Sequence, residues 1–196
     1  LSVALFLKEN NSDKIIYGFD SFSGFPKEKN KNDEISNFSK LLKKNLISKS
    51  HYGDYINSVE IMKKTSNFNK EYSSISSSRN FSNTKKENIE KKMKFLGLKN
   101  IKLVDGLFSN TMKDFKPRNS ILGGILDCDL YMSYKYTLKY LWPLLEKKGL
   151  FYLDEYYSIK FPGARIACNE FIQINKAKLI NFKSPKDSFE RWGLKK

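Results

Sequence analysis

The sequence predicts an α/β fold, a mostly parallel sheet flanked by helices, on three observations. Short apolar runs recur along the chain (KIIYGFD, IKLVDG, SILGGILD, LFYLD and AKLINF), with helical segments between them. The runs are apolar or small on both faces, the pattern of strands covered by helices on each side. Four of them end in an aspartate: Asp20, Asp105, Asp127 and Asp154. Parallel sheets bind their ligands beyond the carboxyl ends of their strands, so these four acids share one rim. Each taken alone is equally well a loop-start residue or a cap.

The elements follow in order. LSVALFL opens the chain like the middle of a helix, and a chain opening on Leu1 rather than Met reads as a fragment lacking its amino-terminal segment. KIIYGFD is a β-rich run, and the SFSGFP after it is turn-rich. From about 27 to 82 the chain is polar, rich in Lys and Asn and weakly patterned, and it includes the serine run Ser73–Ser78. This stretch is expected to be an insertion, a lid or binding loop, within a single domain spanning 1–196. NTKKENIEKKMKFLGL then predicts a helix. Thr84 and Glu87 form a capping box, Ile89, Met93 and Leu96 share a face, and Gly97 stops it. The strands IKLVDG and SILGGILD come next. A helix follows, capped by Ser133, striped by Leu138, Leu141 and Leu145, and bent or shortened by Pro143. Gly149 precedes the strand LFYLD, and AKLINF is the last strand candidate.

Composition excludes several classes. At 196 residues, 40% hydrophobic and 14% aromatic, the chain is long and apolar enough for a substantial core. No apolar run approaches the roughly 20 residues of a membrane span, and no basic-then-apolar leader is visible. Cys128 and Cys168 sit in apolar contexts without a CxxC partner, so they read as small buried thiols, with a cytoplasmic location as the default. The formal charge of +15 invites nucleic acid as a partner. However, only four of the 36 basic residues are arginines, and the lysines are dispersed. Bidentate recognition of phosphates and base edges favours Arg, so a solvated lysine surface is the better reading.

The chemistry concentrates in Asp127, Asp129, Asp154 and Glu155. If the two strands that carry them are neighbours, Asp127 and Asp154 project into one crevice. Two carboxylates 4 Å apart repel by about 4 kcal/mol at an effective dielectric near 20, unless one is protonated or a cation lies between them. Oxygen donors without His or Cys suit Mg²⁺, with Mn²⁺ or Ca²⁺ as substitutes. Zinc is disfavoured because the only histidine, His51, lies in the polar stretch. The Asp127–Asp129 DxD alone would equally suit a metal-dependent glycosyltransferase. Asp20 is either an acceptor for the two hydroxyls of a ribose or a turn-initiating Asp.

YGFDSFSGFP (Tyr17–Pro26), LVDGLFSNTM (Leu103–Met112), the run from Ile125 to Tyr157 and PGARIACNEF (Pro162–Phe171) occur in an order and spacing that resemble the macrocin O-methyltransferase family. That family consists of S-adenosylmethionine-dependent, metal-dependent sugar O-methyltransferases of Rossmann-like fold. The resemblance implies that Asp20 binds the cofactor ribose, with Ser21, Gly106 and Phe108 in the same cofactor-binding blocks. It implies Asp127, Asp154 and Glu155 as ligands of Mg²⁺ or Mn²⁺. Glu155 departs from the family's usual Asp, and Asn169 stands where an acid is typical. The family's first strand and Gly-rich loop would lie ahead of Leu1, so the resemblance implies that they are missing here and that the cofactor pocket is half built.

A hydroxyl is a poor nucleophile until its proton is removed. The position at which related catechol-type enzymes carry a lysine base is Leu130, which leaves Asp129 as the candidate base or substrate-orienting group, with His51 as an outside candidate. The expected partner is a sugar-containing small molecule rather than nucleic acid or membrane, and a homodimer is compatible with the sequence. The alternatives to the methyltransferase are the DxD glycosyltransferase and a non-catalytic binding module of the same fold.

Overall fold

The five apolar runs form five strands, and a sixth strand forms from the carboxyl-terminal WGLK, which carries no alternation to announce it. The computed structural model describes residues 1–26, 28–65, 84–182 and 189–196. In chain order its elements are α1 (Ser2–Glu9), β1 (Ile16–Asp20), a 3₁₀ turn (Lys31–Asp33), α2 (Asn37–Lys43), α3 (Lys49–Thr65), α4 (Lys86–Phe95), β2 (Ile101–Asp105), α5 (Phe108–Thr111), β3 (Ile121–Leu126), α6 (Tyr131–Leu141), β4 (Leu145–Leu153), a second 3₁₀ turn (Asp154–Tyr157), α7 (Pro162–Asn175), β5 (Lys178–Asn181) and β6 (Trp192–Lys195). These residues gather into two units, one of 1–26 and 84–115, the other of 28–65, 116–182 and 189–196. The expected serine loop Ser73–Ser78 lies outside the described residues.

In the first unit β1 and β2 run parallel, in a register that pairs Ile16 with Ile101 and Asp20 with Asp105. The two acids therefore stand side by side at the strand ends. Tyr17 and Phe19 both set ring edges on Phe115, with centroids 4.8 and 5.0 Å away. On α1, Ala4 is buried and its carbonyl accepts the Asn100 side-chain amide at 2.9 Å. Helix α4 carries Ile89 and Met93 on its half-buried face and ends before Gly97, whose φ of 60° is the left-handed stop expected of it. The Thr84 capping box does not open this helix: its N-cap is Lys85, without a side-chain cap bond.

The second unit is built on a four-stranded sheet of order β3-β4-β6-β5. β3 and β4 are parallel, whereas β6 is antiparallel to both of its neighbours. Its core holds Leu126, Leu138, Leu141, Leu145, Phe151, Leu153, Ala167, Cys168 and Leu194. β3 was expected to be covered on both faces, yet Leu122 is 53% and Ile125 64% exposed. Among the described residues, β3 pairs only with β4. Its Gly123 is needed there, because a Cβ would come within 2.7 Å of the Leu150 carbonyl.

Helix α6 ends at Leu141, before Pro143, which has no N–H to extend it. Leu145, expected on the helix stripe, is instead the buried first residue of β4. Ser133 does not cap α6, whose N-cap residue is Leu130. The helix takes its acceptor from far along the chain: the Tyr131 N–H donates to Asp33 Oδ1 at 2.7 Å. The polar stretch is thus folded over 28–65. Phe38, Leu41 and Ile47 form a small core of their own, against which Tyr52, Tyr55 and Ile166 pack.

Candidate functional site

The register of β3 and β4 places Leu126 opposite Leu153, so the next residue on each strand, Asp127 and Asp154, emerges beside the other. β4 then tightens into a 3₁₀ turn, which carries Asp154 and Glu155 on consecutive residues. Asp127, Asp154 and Glu155 each offer a carboxylate oxygen, and the three oxygens lie within 4.8 Å of one another. Asp127 and Asp154 are exposed, while Glu155 is buried at 5%. Three oxygen donors with no His or Cys among them are the donor set of a hard divalent cation. Asp129 is not in the trio. Of the two DxD acids, only the first belongs to the cluster.

Glu155 is fixed by a buried tyrosine. The Tyr134 hydroxyl is 2.6 Å from Glu155 Oε2 and 2.7 Å from the Leu126 carbonyl, and it accepts the Glu155 N–H at 3.3 Å. Burial pushes the Glu155 carboxyl up to about 8; repulsion from Asp129, Asp127 and Asp154 adds to this, and the Tyr134 bond opposes it.

Asp129 sits at φ 56°, a left-handed conformation that a non-glycine residue adopts only when its surroundings hold it there. Its N–H reaches Glu155 Oε2 at 3.3 Å. Burial raises its carboxyl to about 7, with added repulsion from Asp127 and Asp154 against a lowering by Lys160. The residue named as candidate base thus lies half-buried beside the acid trio.

The turn bearing Asp154 and Glu155 is tied down residue by residue. The Tyr156 hydroxyl donates to Asn169 Oδ1 at 2.7 Å, so Asn169, in the place of a family acid, serves as a neutral acceptor. Its Nδ2 is buried without a partner among the described residues. The Arg165 guanidinium stacks 3.7 Å over the Tyr156 ring and donates to the carbonyls of Tyr156 and Leu46 at 2.8 and 2.6 Å. The Tyr157 hydroxyl donates to Asp54 at 2.8 Å. His51 is buried at 2%; its Nε2–H donates to the Ser158 carbonyl at 2.7 Å and its ring packs 4.2 Å from Tyr157. Burial holds the imidazole below its ordinary value. His51, the outside candidate for a base, thus packs against and bonds to the end of this turn, and with Asp54 it braces the turn from the segment 28–65.

The four cofactor-binding candidates meet in the first unit, at the ends of β1 and β2. The Gly106 N–H donates to the Asp20 carbonyl at 2.9 Å. Gly106 has φ 137°, and a Cβ there would meet Thr111 at 2.9 Å. Asp20 is exposed and accepts the Phe22 N–H at 2.7 Å through Oδ1, an Asx turn in which Oδ2 has no hydrogen bond among the described residues. The Ser21 hydroxyl is spent inside the same turn, on the Gly24 carbonyl at 2.7 Å. Phe108 opens the short α5, half-buried.

Sequence reasoning missed Asp33, Tyr134 and Arg165. Tyr134 had a signal, since it lies four and seven residues before Leu138 and Leu141, on the buried stripe of α6, and a buried tyrosine hydroxyl needs a partner. Asp33 had none, as its partner is 98 residues away.

Residues 56–182 match the sequence profile of the family Macrocin-O-methyltransferase (TylF). Among solved structures, 97% of this chain superposes on 64% of the O-methyltransferase NovP, with a TM-score of 0.63 at 17% identity. The calicheamicin methyltransferase CalS11 is covered over 60% of its length by 92% of this chain, with a TM-score of 0.54 at 18% identity. The chain thus spans less than two thirds of either neighbour, and the likeness is one of fold. No curated protein matches the sequence.

Proposed function

The chain belongs to the macrocin-O-methyltransferase family, and from that premise we propose that it serves S-adenosylmethionine-dependent methylation of a hydroxyl on a sugar or glycosylated small molecule, assisted by Mg²⁺ or Mn²⁺. The observation that carries this reading is the convergence of Asp127, Asp154 and Glu155 oxygens within 4.8 Å at the ends of adjacent strands. Asp20 is the residue to hold the cofactor ribose, through the carboxylate oxygen that its turn leaves open, with Gly106 allowing close backbone approach and Phe108 offering an apolar face.

When bound, the cofactor supplies a sulfonium methyl group, and the cation supplies Lewis acidity that favours the alkoxide form of the acceptor hydroxyl. The protein supplies the rest. Asp127, just past β3, and Asp154 and Glu155, on the braced turn, would hold the cation. Asp129 takes the hydroxyl proton at its carboxylate, which lies beside the trio with its own N–H on Glu155. The strained backbone of Asp129 keeps that carboxylate in place beside the trio.

The test is calorimetry of S-adenosylmethionine binding, with and without Asp20→Ala, followed by turnover with EDTA and with Asp129→Asn. Binding abolished by Asp20→Ala, turnover stopped by EDTA and restored by Mg²⁺, and turnover lost in Asp129→Asn with the cofactor still bound are the expected results. Absence of cofactor binding by the full-length protein would refute the reading.

A further inference from the structure

We propose that Tyr134 sets the metal preference of the acid cluster, by holding Glu155 as a ligand through one oxygen only. The inference rests on the reading of Asp127, Asp154 and Glu155 as a divalent-cation site, and it concerns a residue outside that trio.

Tyr134 is the largest wholly buried side chain of the described residues, at 0% exposure. It lies one turn into α6, whose first N–H is anchored on Asp33. Its hydroxyl sits 2.6 Å from Oε2 of Glu155, and the Asp129 N–H approaches the same oxygen at 3.3 Å. Oε2 therefore has two protein donors, whereas Oε1 has no hydrogen bond among the described residues. The same hydroxyl lies 2.7 Å from the Leu126 carbonyl, so its one proton is shared between the residue before Asp127 and the side chain of Glu155.

The consequence is chemical. A glutamate arm is one methylene longer than an aspartate arm, and left free it can turn both oxygens to a cation. Ca²⁺ accepts such bidentate carboxylates within six to eight ligands, whereas Mg²⁺ demands a near-octahedral set of single oxygens. With Oε2 already engaged, Glu155 offers the second kind of ligand. Tyr134 is a positioning residue: it touches the ligand and biases the site toward Mg²⁺ and Mn²⁺ over Ca²⁺.

The experiment is calorimetric titration of the protein with Mg²⁺, Mn²⁺ and Ca²⁺ in four forms: wild type, Tyr134→Phe, Glu155→Gln and the double variant. Tyr134→Phe is expected to lower Mg²⁺ and Mn²⁺ affinity by about ten- to a hundredfold, the range found for groups that orient metal ligands, while Ca²⁺ affinity changes less. In the Glu155→Gln background the same substitution is expected to leave the Mg²⁺/Ca²⁺ ratio unmoved. If Tyr134→Phe does not fold, Glu155→Asp keeps the buried tyrosine and withdraws the carboxylate from it, and its ratio is expected to move the same way. A ratio unchanged in folded variants, with the wild type still binding, overturns the role of Tyr134 and leaves the metal site standing. A wild type that binds none of the three cations overturns both.

Discussion

Asp33→Asn isolates the energetic cost of the buried acid that anchors α6. Asp33 is 2% exposed, accepts the Tyr131 N–H at 2.7 Å and is packed against Gly163. Burial pushes its carboxyl from 3.8 up to about 6, against the lowering effect of the Tyr131 bond. At about 1.4 kcal/mol per unit, this rise of roughly two units corresponds to about 3 kcal/mol. The sign follows from proton binding. Between pH 4 and 6 the folded state holds a proton that the unfolded state has released, so stability falls as pH rises and levels off above about pH 6 to 7. Asparagine keeps the acceptor for Tyr131 and carries no charge to desolvate. The variant is therefore expected to be nearly as stable as wild type at pH 4 and more stable by up to about 3 kcal/mol at pH 8. With a urea slope of about 2 kcal/mol/M, typical of small proteins, the midpoint at pH 8 moves up by about 1.5 M. Urea denaturation at the two pH values is the assay. A variant less stable than wild type by the same amount at both would refute the reasoning, because it would show a cap whose charge matters and whose desolvation does not.

Two further substitutions probe the bracing of the site. Gly163→Ala places a Cβ onto the Asp33 carboxylate and 2.9 Å from Tyr131 Cβ. In an open helix the change would gain roughly 1 kcal/mol; here a loss of about 1–3 kcal/mol is expected from overpacking, and a raised melting temperature would contradict the contact. His51→Phe keeps an aromatic ring between Phe38 and Tyr157 but removes the donor to the Ser158 carbonyl, at a cost of about 1–3 kcal/mol at pH 7.5. Because the folded imidazole is held below its ordinary value, wild type loses stability as pH falls below 6.5. The gap between the two proteins should therefore narrow at pH 5.5 in denaturant titrations, and a gap that widens there would mean that His51 is charged in the fold.

Much of this arrangement was legible in the sequence, for identifiable reasons. β1 to β5 announce themselves as apolar runs, and in each unit acids stand side by side at the ends of paired strands, Asp20 with Asp105 and Asp127 with Asp154. The spacing of the two acid pairs pointed to Asp127, Asp129, Asp154 and Glu155 at neighbouring strand ends, the family resemblance implied the trio among them, and the parallel register of β3 and β4 brings those three acids together. β6 was not legible: four residues with a central glycine become a strand only because β4 and β5 pair with them on both sides. Nor were the helices of 28–65, whose polar sequence is held by the contacts of Phe38, Leu41 and Ile47 rather than by periodicity. The capping choices at α4 and α6 went to other residues because local signals compete with distant ones; for α6, Asp33 arrives from 98 residues away and displaces Ser133. The left-handed Asp129 and the tyrosine behind Glu155 are likewise products of packing, visible only once β3, β4 and α6 meet.

The claim at the centre of this account is that Asp127, Asp154 and Glu155 hold one divalent cation while Asp129 does not. Titration of Mn²⁺ followed by electron paramagnetic resonance tests it most directly, on wild type, Asp127→Asn, Asp154→Asn and Asp129→Asn. One bound Mn²⁺ in wild type, retained in Asp129→Asn and weakened in the other two by at least the roughly 100-fold that outer-sphere partners reach, is the expected result. Equal Mn²⁺ affinity in wild type and Asp127→Asn would contradict it.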